Sequence, residues 1–109
     1  MDRIMFRGIM PALITPVNED GTIREAAARK LIGDLSQTGI TGFYILGSTG
    51  EGVATDRDTR MEFAELVRDA RPDGMKIINH IGASDLSTVK KLARHARKCG
   101  MDAISSVPP

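Results

Sequence analysis

Two hydrophobic periods take turns along this chain. Three short apolar runs, Gly42-Phe43-Tyr44-Ile45-Leu46, Lys76-Ile77-Ile78-Asn79-His80-Ile81 and Ala103-Ile104-Ser105-Ser106-Val107, have the length and β-branched content of buried strands. Gly8-Ile9-Met10-Pro11-Ala12-Leu13-Ile14-Thr15 reads as a further strand at the start, made irregular by Pro11, which removes one ladder donor. Between the runs the apolar residues recur at helical spacing. Ala27, Leu31 and Leu35 mark a helix over 24–37, Met61, Ala64, Leu66 and Val67 a second that ends near Ala70, and Val89, Leu92, Ala93 and Ala96 a third. The punctuation agrees. Asn18-Glu19-Asp20-Gly21 and Pro72-Asp73-Gly74 are turns, and Gly39 and Gly100 stand where helices stop. Thr55-Asp56-Arg57-Asp58 predicts an N-cap at Thr55, and Asp85 predicts a cap for the third helix.

The resulting order, β-α-β-α-β-α-β, predicts an α/β fold with a parallel sheet and right-handed crossovers. A doubly wound open sheet is complete at about this size, whereas a (β/α)8 TIM barrel takes about 250 residues, so four strands make half of one. An apolar fourth strand followed only by Pro108-Pro109 favours the barrel. The expectation is that residues 1–109 form the N-terminal half of a single barrel domain, with about four strands and three helices.

Composition removes several function classes. A formal net charge of +1 over 109 residues gives no reason to expect nucleic acid or an anionic membrane as partner. Phe6, Phe43, Phe63 and Tyr44 are the aromatics, too few for a base-stacking platform. No apolar run approaches the ~20 residues that span a bilayer, and the charges within Met1–Arg7 argue against a secretory leader. Cys99 is alone, so no internal disulfide or Cys-based metal site is expected; it reads as a small buried thiol in a reducing, cytoplasmic setting.

Gly47-Ser48-Thr49-Gly50-Glu51, directly after the run that ends at Leu46, carries the candidate chemistry. Glycines at 47, 50 and 52 allow a tight loop whose backbone N–H groups approach a ligand, and Ser48 and Thr49 add two hydroxyl donors. Ligands of parallel sheets bind beyond the carboxyl ends of the strands, where Thr15-Pro16, this loop, Gly82-Ala83-Ser84 and Pro108-Pro109 fall. The spacing is neither a dinucleotide fingerprint nor a P-loop. With no Lys or Arg between Gly47 and Asp56, a carboxylate suits the loop better than a phosphate. A glycine-rich βα turn that holds no ligand remains open beside it. Glu51 is expected to accept loop N–H bonds and hold Ser48 and Thr49 in place. His80 reads as a satisfied interior histidine, His95 as a surface residue on a cationic helix end, and Ser84, Ser87 and Ser106 as capping or turn residues. No metal-ligand spacing is seen among His, Asp and Glu, and no cofactor is expected.

Gly8-x-x-Pro11-Ala12-Leu13-Ile14-Thr15-Pro16, Gly47-Ser48-Thr49-Gly50-Glu51 and Asp102-Ala-Ile-Ser-Ser-Val-Pro108 together resemble the dihydrodipicolinate synthase / N-acetylneuraminate lyase family, over the whole chain and at the family's intervals. The resemblance implies a (β/α)8 barrel, commonly a homotetramer, that runs a class I aldolase reaction on pyruvate and an aldehyde co-substrate through a Schiff base. It assigns pyruvate-carboxylate binding to Ser48 and Thr49, and support of a proton relay with a tyrosine to Ser48. Tyr44, Ser48 and His80 are closer to the sialic acid lyase branch than to the synthase branch. The family's paired acidic residues after the loop are replaced by Asp58-Thr59. The Schiff-base lysine and the relay tyrosine belong to positions after this chain's last residue. Lys30, Lys90, Lys91 and Lys98 sit on outer helices, and Lys76 opens a strand at the far face, so none is a nucleophile candidate and the 109-residue chain alone is expected to be inactive. A non-catalytic module that binds a 2-oxo acid, and a complete small domain that binds a phosphate-containing ligand, are the competing readings.

Overall fold

The computed structural model describes residues 6–107; the readings placed on residues 1–5 and on Pro108-Pro109 lie outside them. Helices α1 (Glu25–Leu35), α2 (Arg57–Ala70) and α3 (Leu86–Lys98) alternate with strands β1 (Gly42–Ile45), β2 (Lys76–His80) and β3 (Ala103–Ser105). The sheet is parallel throughout, in the order β1-β2-β3.

Three named strands are present where four were expected. Residues 9–13 do lie beside β1: Thr41 N–H donates to Ile9 O at 2.9 Å, Tyr44 N–H to Pro11 O at 3.0 Å, and Leu13 N–H to Tyr44 O at 2.8 Å. The ladder amounts to one parallel bridge, Ala12 to Tyr44, because Pro11 has no N–H to continue it. The last strand is also shorter than its apolar run, ending at Ser105 rather than Val107.

The caps set the helix limits. Asp56, not Thr55, caps α2, its carboxylate accepting from Thr59 N–H at 2.9 Å and from the Thr59 hydroxyl at 2.8 Å. Asp85 caps α3 in the same way through Thr88. A short side chain with extended backbone, three residues before a free N–H, closes that bond at either helix. In α1 the fully buried line is Ala28 and Ile32, one residue along from the expected stripe, while Leu31 and Leu35 pack at its edge.

Register and burial divide the sheet into two faces. Phe43 and Ile45 of β1 and Ile77 of β2 turn to the helices, where they meet Phe63, Ala64 and Val67 of α2 and Ile32 of α1 in one core. Tyr44, Ile78, His80, Ala103 and Ser105 occupy the opposite face. At the start of the strands, Asp102 accepts from Ile77 N–H at 2.9 Å and pairs with Arg71 at 3.0 Å, locking β3 to β2 and to the end of α2. That lock leaves the other end of the sheet to the glycine loop.

Candidate functional site

The loop after β1 is a chain of turns. Glu51 N–H donates to Ser48 O at 3.1 Å, Gly52 N–H to Gly47 O at 3.1 Å, and Thr55 N–H to Gly52 O at 3.1 Å. The unusual backbone falls on Leu46 and Glu51, at φ +61° and +54°, which bulky residues rarely adopt. The glycines solve a different problem from the one expected of them. A Cβ at Gly52 would strike the Leu46 carbonyl oxygen, and one at Gly47 would lie 2.5 Å from the Tyr44 ring. They admit close approach of neighbours.

Two regions singled out in the sequence meet here, since the Thr15 hydroxyl donates to Gly50 O at 2.7 Å. Ser48 and Thr49 are both exposed at the tip. Gly47, Ser48, Glu51, His80, Ala83 and Val107 contribute to the wall of a cavity of about 310 Å³. Ser48 reaches this cavity and Thr49 does not line it. Glu51 departs from expectation: its carboxylate is exposed, and its backbone does the holding, N–H to Ser48 O and carbonyl to the Thr55 hydroxyl at 2.8 Å.

His80 is buried with both ring nitrogens engaged, as the interior reading requires. Nδ1 is 2.9 Å from Leu46 O, and Nε2 accepts from Val107 N–H at 3.2 Å. Only a neutral ring with its proton on Nδ1 satisfies both partners. The imidazole therefore fastens the positive-φ residue that opens the glycine loop to the segment after β3. Beside it the Tyr44 hydroxyl donates to Ser105 Oγ at 2.8 Å, bridging β1 and β3.

Sequence reasoning missed Arg60. It is 2% exposed, and its guanidinium donates to Gly82 O at 2.8 Å and His80 O at 2.7 Å. Two carbonyls at the end of β2, which no further strand residue takes up, are capped by one side chain from α2. Burial pushes the guanidinium below its usual value. A signal existed, since Arg60, Phe63, Ala64 and Val67 share the helical spacing of a buried face.

The lysines stand as expected. Lys76 opens β2, and none of Lys30, Lys76, Lys90, Lys91 or Lys98 lines the cavity. Lys30 is paired with Asp34 at 2.8 Å, which raises its pKa, the opposite of what a nucleophilic amine requires. His95 is not the surface residue expected: its side chain is 10% exposed, and it lies against Cys99 and Glu65. Among the described residues no helix is long and apolar enough to cross a membrane.

A family model described as the dihydrodipicolinate synthetase family matches residues 5–109. The N-acetylneuraminate lyase of Escherichia coli K12 is 35% identical over 103 residues, covering 94% of this chain and 35% of the relative. The N-acetylneuraminate lyase structure from Mycoplasma synoviae superposes with a TM-score of 0.91 at 31% identity, over 99% of this chain and 38% of that one. A prophage protein of the dihydrodipicolinic acid synthase family from E. coli K12, solved in complex with pyruvate, superposes at 0.89 with 28% identity, over 95% of this chain and 35% of that one. The chain spans about a third of the length of the curated relatives it matches.

Proposed function

Because the chain belongs to the dihydrodipicolinate synthetase family, we propose that it is the first part of a (β/α)8 barrel that cleaves or forms a carbon bond to pyruvate through a Schiff base, in the manner of an N-acetylneuraminate lyase. Ser48 and Thr49 hold the pyruvate carboxylate, and the attacking lysine comes from a later strand. The single observation that carries this reading is the exposed Ser48-Thr49 tip on a loop anchored by Thr15, at the carboxyl end of β1 and open to the 310 Å³ cavity. Two hydroxyls without a basic neighbour match one carboxylate in charge and donor count. Ser48, the one that also lines the cavity, supports proton movement at the reacting end of the substrate in this reading.

Incubating the full-length protein with pyruvate and borohydride should add the mass of a reduced pyruvyl group to a lysine beyond residue 109. Absence of an adduct would remove the Schiff-base reading. The 109-residue chain alone should give none. The pyruvate-bound relative of the synthase family supports a second reading, a synthase that condenses pyruvate with an aldehyde. Release of pyruvate from N-acetylneuraminate favours the lyase; an adduct with no such release favours the synthase.

A further inference from the structure

On the helical layer, toward the end of the sheet where the strands begin, lies a cluster that the pyruvate chemistry does not use. His95 and Cys99 stand four residues apart at the end of α3, and Glu65 of α2 faces them. Cys99 Sγ is 3.3 Å from His95 Nε2, and His95 Nε2 is 3.4 Å from Glu65 Oε2. The donor atoms of all three residues lie within 4.8 Å of one another. Sγ is also 3.8 Å from Nδ1, so the sulfur stands beside the imidazole and off the Nε2 lone-pair axis, while Glu65 Oε2 approaches Nε2.

We propose that Glu65, His95 and Cys99 form a binding site for one thiophilic divalent cation of the zinc type, with a fourth position open to solvent. Thiolate, imidazole and carboxylate are the three donor types that such an ion takes. Metal–sulfur bonds of about 2.3 Å and metal–nitrogen or metal–oxygen bonds of about 2.0–2.1 Å at tetrahedral angles place nitrogen and oxygen about 3.3–3.4 Å apart and sulfur and nitrogen about 3.5–3.6 Å apart; the 3.4 Å nitrogen–oxygen separation matches, and the 3.3 Å sulfur–nitrogen one is a little shorter. A turn of the imidazole about Cβ–Cγ that swings the Nε2 lone pair toward Sγ lets one ion take all three donors. The thiol proton leaves to solvent as the ion binds, so thiolate and carboxylate together balance its two charges. Burial, with the nearby Glu65 carboxylate, holds the Cys99 thiol proton on in the empty site, while Arg68 and Lys98 favour the thiolate. A groove of about 380 Å³ lined by residues of α2 and α3 reaches His95, and Glu65 is exposed on its own helix. Arg57, Lys91, Arg94 and Lys98 line the same groove and limit the affinity by their charge.

The test uses metal-free full-length protein titrated with Co2+ alone, then with Zn2+ as competitor. One equivalent of Co2+ should give a thiolate-to-metal charge-transfer band and tetrahedral d–d bands, and Zn2+ should displace them. Cys99→Ser should abolish the charge-transfer band. His95→Gln and Glu65→Gln should each weaken binding at least about tenfold, as loss of a ligand costs no less than loss of its supporting partner. Glu65→Gln lies at a half-exposed helix position, so it carries the test if a buried variant does not fold. No charge-transfer band, or a band unchanged in these variants, would overturn the proposal. The readout involves neither pyruvate nor turnover and stands whichever way the Schiff-base experiment falls.

Discussion

Ser48 and Thr49 are adjacent, both exposed, and separated in what they face: Ser48 borders the cavity and Thr49 does not. If both hold one carboxylate, each contributes a hydrogen bond to a charged group, about 1.5–3 kcal/mol, or roughly tenfold to a hundredfold in affinity. Thr49→Val in the full-length enzyme should therefore raise KM for pyruvate by about tenfold or more with kcat little changed. Ser48→Ala should raise KM similarly and lower kcat as well if the reaction runs in the cavity that this hydroxyl borders. Trapping rates measured across pyruvate concentrations separate the two, and an unchanged KM in both variants would refute the clamp. Arg60 tests the support beneath. Arg60→Leu leaves His80 O and Gly82 O without their donor in a dry site, so denaturant unfolding should show a loss of about 3 kcal/mol. A charged residue on the buried stripe of α2 was visible in the spacing. Its partners were not, because backbone carbonyls have no signature in the sequence.

At the scale of elements, helices and strands were legible because their apolar periods are long and unmixed, and β2 with α2 and α3 fell almost where the pattern places them. Ends were decided by single hydrogen bonds, which pattern does not resolve: Asp56 rather than Thr55 caps α2 because Thr59 lies three residues on. The segment before β1 lies beside it but does not form the strand expected, since one missing N–H at Pro11 breaks a ladder only a few residues long. The loop was legible as a glycine-rich turn at the carboxyl end of a strand. Its mechanics were not, because positive φ at Leu46 and Glu51 is imposed by packing. The caps carry a pH signature. Bonds from Thr59 N–H and its hydroxyl hold Asp56 below 3.8, and those from Thr88 do the same for Asp85. A carboxylate lowered on folding adds stability that is fully present above its unfolded value and lost as pH falls through the folded one. Replacing both aspartates with Asn, which also caps well, should leave the melting temperature near neutral pH almost unchanged and make its decline below pH 3.8 shallower. Asp56→Ala, which removes the cap itself, should cost about 1 kcal/mol at neutral pH. An unaltered acid limb in the double variant would show that other groups govern it.

For the whole molecule, the two faces of the sheet are finished to different degrees. On the helix side Phe43, Ile45 and Ile77 are fully buried, while Ile104, which pairs with Asn79 in the register and shares that side, is 52% exposed. The helical layer thus covers β1 and β2 and stops short of β3. In a (β/α)8 barrel each strand is followed by a helix that packs on its outer side, so the chain after residue 109 would lay one over Ile104. The opposite side of the sheet is open as well, with Tyr44, Ile78, Ala103 and Ser105 only partly covered. Ile104→Lys separates the barrel from a finished small domain. In the 109-residue chain the substitution sits at a half-exposed position and should change stability by no more than about 0.5 kcal/mol. In the full-length protein it would place a charge under a packed helix, and the loss should reach about 3 kcal/mol or prevent folding. Equal, small effects in both lengths, read from denaturant unfolding, would mean that nothing covers β3 and that the barrel reading is wrong.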